Sequence, residues 1–409
     1  MIINDLDGYY IVFDIKNWNT ELDTLKKSTS KLKQAGNMRK LYISALLAMS
    51  SLSLFAQKST WADYIRISGF AIAQYQWTNP KDNEANTFNL RMARLALDGK
   101  VAGDFYWKTQ LQITGNTSTL ASSPRVVDLF IEWQKYKAFN VRVGEFQVPF
   151  TFESPIHPVD VGFMDNGQAV LKFTGYSDRS GMHSSNGRDI GIMAGGDFLE
   201  NANGRNLLHY GVSIVNGQGI NLKDVDQRKN VVASFWVMPI EGMRIGVSGW
   251  EGSYARNGTW TDETSGEQKK GVRSLPQHRY AISGEYDSNG WTFRSEYIHS
   301  TGKAFAKTMT NTNDDSASDC NLSDNGNKAD GFYALGIVPV LKNKVSLKAR
   351  YDLYRNNGEW NSAQTFYEAG ADYYFTKNLK LSAEYALVNN RTLSKHNYSL
   401  INTELSIKF

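Results

Sequence analysis

Residues 344–355 read Lys-Val-Ser-Leu-Lys-Ala-Arg-Tyr-Asp-Leu-Tyr-Arg, and apolar and polar side chains alternate along this stretch. Val345 and Leu347 lie on one face, whereas Ser346 and Lys348 lie on the other. Because successive side chains of a β-strand point to opposite sides, this period of two predicts a strand with one apolar and one polar face. The same alternation recurs at 103–114, 277–287, 290–299, 378–388 and 397–409.

The whole chain after residue 60 follows this pattern, which predicts sixteen strands. The expected positions are 63–77, 87–100, 103–115, 125–136, 139–149, 188–198, 207–216, 229–239, 242–253, 277–287, 290–300, 329–340, 344–355, 364–376, 378–388 and 397–409. Their connections alternate in length. Short turns such as 137–138 and 288–289 are followed by long connections at 150–187, 217–228, 254–276 and 301–328.

Sorting of turns and long loops to opposite ends is typical of outer-membrane barrels, and a Greek-key sandwich gives no reason for it. An even number of strands also lets the last strand pair with the first, so that no edge remains. We therefore predict an all-β fold, a transmembrane antiparallel β-barrel of 16 strands with short periplasmic turns and long outer loops. Trp77, Trp107, Trp133 and Trp291, near strand ends, predict aromatic girdles at the surfaces of the outer-membrane lipid.

Composition excludes several other classes of protein. The 409 residues contain one cysteine, Cys320, and six dispersed histidines, so neither a disulfide framework nor a zinc motif is expected. No cofactor is predicted, and a net charge of +4 is too small to indicate a nucleic-acid partner. The mean hydropathy of -0.44 fits a barrel as well as a soluble protein, because barrel strands alternate polar and apolar residues.

The segment 38–57 is predicted to be a secretory signal peptide. Met38 is followed by two basic residues, a short apolar stretch at 41–49 and a small residue, Ala56, after which cleavage is expected. The alternative is a buried helix of a cytoplasmic protein. Residues 1–37 carry no motif and are predicted to be an over-extended N-terminus, which leaves 58–409 as the barrel in the cell outer membrane. The terminal aromatic residue, Phe409, is expected to be recognised by the barrel-assembly machinery.

The connection 150–187 differs from the other long connections. It is rich in apolar side chains such as Phe150, Phe152 and Phe163, whereas 301–328 is rich in Asn, Asp and Ser. Because a long apolar loop should be buried, we expect this third outer loop to fold inward and narrow the lumen. Packing against a neighbouring subunit is the alternative. A barrel of 16 strands is too wide for its own side chains to fill, which predicts a water-filled channel.

Five stretches of the sequence together resemble the phosphate-selective porin O and P family, in the form found in Bacteroidetes-like outer membranes. They are 90–99, 142–150, 187–191, 210–219 and 245–249, in the order of the family. The resemblance implies a sixteen-stranded homotrimeric porin with an inward third loop. It also implies that cationic side chains draw small anionic solutes, such as phosphate or polyphosphate, through the pore.

Basic side chains on the polar faces of the strands and around the third loop are the candidate anion path. Arg142 and Lys108 lie on the polar faces of their strands. Arg91 and Arg94 have opposite parity, so both face the lumen only if a β-bulge separates them. Guanidinium groups present paired donors that match phosphate oxygen atoms. The complete set of candidates is Arg91, Arg94, Lys108, Arg142, Lys172, Arg179, Arg188, Lys348 and Arg350.

Other functions stay open at this point. Acidic residues such as Asp128 and Glu296 are also predicted to face inward, so a non-selective general diffusion porin is the first alternative. A structural or adhesive barrel with a plugged lumen is the second. An enzyme is not predicted, because His209, His278 and His299 lie on strands without the Ser or carboxylate partner motif that such catalysis needs.

Overall fold

The computed structural model describes residues 62–79, 84–114, 124–308 and 318–409. The predicted signal peptide and the segment before it lie outside these residues. The described residues form sixteen antiparallel strands in a closed barrel, one short helix and one 3-10 turn, Trp360–Ser362. The described residues include no helix that could span a membrane.

The bounds of the elements agree with most of the sequence-based expectations. The strands are β1 (Ala62–Thr78), β2 (Ala85–Val101), β3 (Phe105–Thr114), β4 (Arg125–Tyr136), β5 (Phe139–Gln147), β6 (Arg188–Glu200), β7 (Asn206–Val215), β8 (Asn230–Val237), β9 (Met243–Thr261), β10 (Gln268–Ser288), β11 (Trp291–Thr301), β12 (Lys328–Leu341), β13 (Val345–Arg355), β14 (Ala363–Thr376), β15 (Leu379–Asn390) and β16 (Asn397–Lys408). The helix, α1 (Gln168–Phe173), lies in the connection between β5 and β6. The predicted sixteen-stranded barrel is confirmed.

The barrel closes by pairing of its first and last strands. β1 pairs with β16 from Phe70 opposite Lys408 to Thr78 opposite Leu400. Beyond this ladder, Phe409 exchanges two backbone hydrogen bonds of 2.9 Å with Gly69. Every strand therefore has two hydrogen-bonded neighbours, and no sheet edge is left to pair with another chain.

The distribution of side chains is inverted relative to a soluble protein. Leu129, Ile131 and Val143 point outward and are each more than half exposed. Glu296 and Asp352 point inward and are fully buried. Apolar side chains on the outside and charged side chains inside are typical of a barrel that faces lipid.

Aromatic side chains gather in two belts on the outer face, as the tryptophans near the strand ends predict. The belt near the short turns contains Trp133, Tyr136, Phe139, Trp291, Phe293, Tyr373 and Phe375, which contact each other in neighbouring pairs. The belt nearer the long loops contains Tyr75, Phe88, Tyr280, Tyr297, Tyr351 and Tyr367. Such girdles occupy the two membrane–water interfaces, so the spacing of the belts marks the membrane-embedded part of the barrel.

The prediction of a long loop at 254–276 is wrong. β9 and β10 continue as a paired hairpin to Thr261 and Gln268, and only 262–267 forms the turn. Apolar residues no longer alternate regularly there, because this part of the hairpin carries polar residues on both faces. The backbone ladder continues nonetheless, which the hydrophobic pattern does not reveal.

A β-bulge in β2 brings Arg91 and Arg94 to the same side of the strand. The pairing of β1 with β2 shifts at Ile72, so that Arg91 lies opposite no residue of β1. An extra residue of this kind reverses the inward–outward alternation on one side of it. Both guanidinium groups consequently face the lumen, although the two positions have opposite parity in the sequence.

Candidate functional site

The connection between β5 and β6, which we call the third loop (148–187), folds into the barrel and is held there by carboxylates of distant strands. Glu296 on β11 accepts hydrogen bonds from two successive backbone N–H groups of the loop. Glu384 on β15 and Asp352 on β13 accept from the N–H groups of Met164 and Gln168 at 3.0 and 2.9 Å. These strands lie across the lumen from β5, so the loop spans the channel.

Cations of the same wall bind the carbonyl groups of the third loop. The contacts are Lys348 Nζ to the Gly162 carbonyl (2.8 Å), Lys380 Nζ to Val159 (2.7 Å), Arg294 to Val161 (3.0 Å) and Arg350 to Asp165 (2.8 Å). Backbone groups buried away from water need such partners. Charged side chains of β11, β13 and β15 therefore supply both donors and acceptors to a loop with little secondary structure of its own.

The apolar side chains of the third loop are buried inside the barrel. Phe150, Phe163 and Phe173 are almost completely buried and pack in one cluster with Trp250 and Tyr333 of the barrel wall. The ring of Phe150 meets that of Trp250 edge to face at 5.8 Å. The predicted inward-folded third loop is confirmed, and its apolar residues need no neighbouring subunit to cover them.

A cavity of about 300 Å³ remains between the third loop and the opposite wall, formed by the early strands and the start of β6. We call it the constriction. Arg91, Arg94, Lys108 and Arg188 line its wall, and His157 and Asp165 line its loop side. Four of the nine candidate residues are thus brought together around one passage.

Three of the four wall cations are paired with carboxylates. The pairs and their N–O distances are Arg91–Asp165 (2.7 Å), Arg91–Glu404 (2.8 Å), Lys108–Asp128 (3.1 Å) and Arg188–Asp128 (2.7 Å). Each cation in such a pair projects less field into the passage than an isolated charge, because its carboxylate lies within hydrogen-bond distance.

Arg94 is the exception among the wall cations. Its Nε donates to the side-chain oxygen of Gln112 at 3.3 Å, and Nη1 lies 3.5 Å from that of Gln110. Both partners are neutral amides, and no carboxylate of the described residues pairs with this guanidinium. The charge on Arg94 is therefore the least compensated one in the wall of the constriction.

The pKa of His157, on the loop side of the constriction, is lowered by burial and by nearby cations. Burial is the main cause that lowers the pKa of His157, and the charges of Lys408, Arg94 and Lys108 lower it further, against the opposing effect of Asp160. The imidazole is therefore biased toward its neutral form. Because burial is the larger cause, the lowered pKa of His157 reports mainly its removal from water and only secondarily the nearby cations.

The other five candidates lie elsewhere in the lumen. Lys348 and Arg350 are buried beneath the third loop, where they pair with Asp372, Glu384 and Glu368 in addition to the loop carbonyls. Arg142 pairs with Glu132 through two hydrogen bonds, and its guanidinium carbon lies 4.4 Å from the centre of the Phe130 ring. Lys172 and Arg179 line a second cavity, on the other side of α1.

Sequence reasoning missed the residues that hold the third loop. Lys380, Arg294 and Arg279 were not among the candidates, although each lies on the inward face of its strand. Arg279 binds Asp178 of the loop through two hydrogen bonds of 2.8 and 3.0 Å. The inward parity of these positions was readable from the alternation, but the distant loop carbonyls that they bind were not.

Comparison with known proteins supports the same class. The sequence model of the family described as phosphate-selective porin O and P matches residues 66–225, which confirms the resemblance from β1 to the connection after β7. The Bacteroidetes-like form of the family remains a prediction. A search of curated proteins finds no match.

Solved porin structures share the fold. The anion-selective porin from Comamonas acidovorans superposes with a TM-score of 0.58 at 10% identity, over 85% of this chain and 99% of that chain. OmpF of Salmonella typhi, in complex with daunomycin, gives 0.57 at 13% identity, over 84% and 97%. A trimer form of OmpT of Vibrio cholerae gives 0.54 at 12% identity, over 85% and 99%.

The closed barrel, the inward loop and the family match together define a porin of the outer membrane. The part of the chain that carries the family match, residues 66–225, is similar to phosphate-selective porins O and P and contains the third loop. Porins are channels for passive diffusion and not enzymes. Within the described residues, no group of three or more His, Cys, Asp or Glu side chains is placed to hold a metal ion.

Proposed function

We propose that this porin prefers small anions, with phosphate-like solutes as the class that the matched family suggests. The observation that carries the proposal is the position of Arg94, which faces the constriction with only amide partners. Arg91, Lys108 and Arg188 add donors on the same wall. An anion that passes between this wall and the third loop meets the cationic groups that line the constriction.

The physical argument rests on the geometry of the constriction. In a passage lined by low-dielectric walls, a fixed charge acts on a permeating ion more strongly than in bulk water. The forked donors of a guanidinium group also match the oxygen atoms of phosphate, which replace water lost from the anion. Arg94 supplies both effects without a competing carboxylate.

Reversal potentials across a planar bilayer under a potassium chloride gradient test this proposal. The wild-type protein should prefer chloride, and Arg94→Gln should lower the anion-to-cation permeability ratio about fivefold, since a unit charge 4 Å away is worth about 1 kcal/mol in water. Arg94→Lys should retain most of the preference. Lys395→Gln, which removes an exposed outer-loop charge, serves as the control. Cation preference of the wild-type protein would defeat the proposal.

A non-selective diffusion porin is the second candidate, and the ion pairs of the constriction favour it. Because Arg91, Lys108 and Arg188 each pair with a carboxylate, only Arg94 contributes an uncompensated wall charge. If the wild-type reversal potential stays close to zero, the pairs neutralise the passage and the channel is a general one. A complete absence of conductance would instead support a structural or adhesive barrel.

Export and assembly complete the proposed function. We propose that 38–57 directs the chain to the outer membrane, with 1–37 as an over-extended N-terminus, and that the exposed ring of Phe409 is recognised by the assembly machinery. The broad apolar outer face suits contacts between three copies, as in the trimer form of the OmpT structure. Peptide mapping of the exported protein and its mass in detergent test these points.

A further inference from the structure

A second cavity, of about 340 Å³, lies at the loop end of the barrel. We call it the vestibule. Leu171 lines the constriction and the next residue, Lys172, lines the vestibule, so α1 separates the two. The ends of β13 and β15 contribute Tyr354 and Asn390 to its wall. A solute that enters from the loop side reaches the vestibule before the constriction.

The lining of the vestibule is mostly neutral and polar. Hydroxyl and amide side chains surround it, among them Ser177, Ser323, Asn325, Asn356, Asn390 and Thr392. These groups can each donate or accept a hydrogen bond, which suits the hydroxyl groups of a solute. The constriction differs, because four cationic side chains lie in its wall and apolar side chains of the third loop line its other side.

Two cations of the vestibule have no carboxylate partner among the described residues. Lys172 forms no ion pair there, and burial lowers its pKa although the charge of Asp178 opposes the change. Arg179 donates to the carbonyl oxygens of Gly302 and Gly326 at 2.7 and 3.3 Å, and its Nε is buried without a hydrogen-bond partner. The positive charge of the vestibule is therefore held by neutral groups alone.

The one carboxylate in the lining does not cancel this charge. Asp178 binds Arg279 through two hydrogen bonds of 2.8 and 3.0 Å and also accepts from the Ser180 hydroxyl. The Arg279 guanidinium and these hydrogen bonds hold the pKa of Asp178 below its usual range, against the effect of burial. Asp178 and Arg279 compensate each other, so Lys172 and Arg179 remain available to an anion.

We propose that the vestibule is a capture site for small anions that carry several hydroxyl groups, such as sugar phosphates. The inference rests on the proposed anion preference and adds a solute class and a second site. Lys172 holds the anionic group, and the ring of amide and hydroxyl side chains binds the sugar hydroxyls. Bare phosphate uses only the first of these contacts, and an uncharged sugar uses only the second.

Single-channel block from the loop side tests the capture site, with glucose 6-phosphate, glucose and inorganic phosphate as probes. Glucose 6-phosphate should reduce the current at a concentration about tenfold lower than either comparison solute, which corresponds to about 1.4 kcal/mol. Lys172→Gln should remove this advantage, and Lys172→Arg should keep it. Lys223→Gln, which removes an exposed charge from another loop, should leave the block unchanged.

Two further measurements make the result decisive. Asn390→Ala should weaken the block by glucose 6-phosphate and leave that by phosphate unchanged, even if the Lys172 variants fail to fold. The reversal potential of Lys172→Gln should still show anion preference, because Arg94 is intact. Equal blocking concentrations for the three solutes would overturn the capture site, whereas cation preference of the wild-type protein would defeat the proposed function itself.

Discussion

The carboxylate of Glu296 accepts a hydrogen bond of 2.7 Å from the backbone N–H of Phe152, which precedes it by 144 residues. The same carboxylate accepts from the Glu153 N–H at 2.9 Å and from the Tyr333 hydroxyl at 2.8 Å. Glu296 is fully buried. One side chain of β11 therefore fixes the beginning of the third loop against the far wall of the barrel.

Substitution of Glu296 by Ala should loosen the third loop and enlarge the passage. Each buried donor left without a partner costs about 1–3 kcal/mol, and this change removes the acceptor of two backbone N–H groups and of the Tyr333 and Ser283 hydroxyls. Single-channel conductance should rise, with increased current noise. Glu251→Ala, at an exposed position of β9, is the control. An unchanged conductance in Glu296→Ala would show that the other anchors suffice.

Removal of the Lys348 charge should destabilise the barrel beneath the loop. Lys348 Nζ lies 2.7 Å from Asp372 and 2.6 Å from Glu384, and all three side chains are buried. Lys348→Met leaves two uncompensated carboxylates, and the loss of one partner of a buried pair costs about 3–5 kcal/mol. Urea unfolding in detergent micelles measures the effect. The control is Lys342→Met, which removes a charge from an exposed turn. This variant should unfold at the same urea concentration as the wild-type protein.

Gly144 should resist substitution by Ala. Its φ angle of 131° is unfavourable for other residues, and a Cβ atom would lie 2.2 Å from the carbonyl oxygen of Leu129 on β4. The substitution forces β4 and β5 apart just before the third loop. Gly284 has an ordinary φ angle and open space around its Cα, so Gly284→Ala is the matched control. Heat modifiability on gels should fall for Gly144→Ala alone.

The stability of the loop should depend on pH through Glu153. Burial is the main cause that raises the pKa of this carboxyl from 4.5 to about 7, assisted by Glu296 and opposed by Arg350 and Arg294. A raised acid pKa means that the folded state holds a proton that the unfolded state has released. The contribution of the Glu153 carboxyl to the stability of the folded loop is therefore complete below pH 4.5 and is lost as the pH rises through about 7.

The same reasoning predicts the behaviour of the Glu153→Gln variant. Glutamine does not titrate, so the current noise caused by loop motion should rise from pH 4.5 to about pH 7 in the wild-type protein and stay level in the variant. The predicted window follows from the two pKa values of the carboxyl. A wild-type channel whose noise is independent of pH over this range would contradict the raised pKa.

The sequence carried most of the information on the fold and only part of that on the site. The alternation around Leu347 and the sorting of turns and loops predicted the strands, because lipid outside and water inside impose a period of two. The apolar content of the third loop predicted its burial. The alternation of apolar and polar residues did not predict the strands beyond Ser253, because the hairpin of β9 and β10 carries polar residues on both faces there.

The charge balance of the site could not be predicted from the sequence. The pairing of Arg188 with Asp128 joins residues 60 positions apart, and that of Arg91 with Glu404 joins residues 313 positions apart. Such pairs depend on closure and on side-chain reach, which alternation does not encode. Arg94 was one of nine equivalent candidates in the sequence, and only its neighbours in space distinguish it from the others.

The anchors of the third loop set an order of events during biogenesis. Met164 binds Glu384, and Val159 binds Lys380, across 220 and 221 positions of the chain. These partners lie on β15, the penultimate strand. A nascent cylinder that lacks its last strands consequently has no docking place for this part of the loop, and its bore stays wide. The third loop can therefore narrow the channel only after the last strands have closed the barrel.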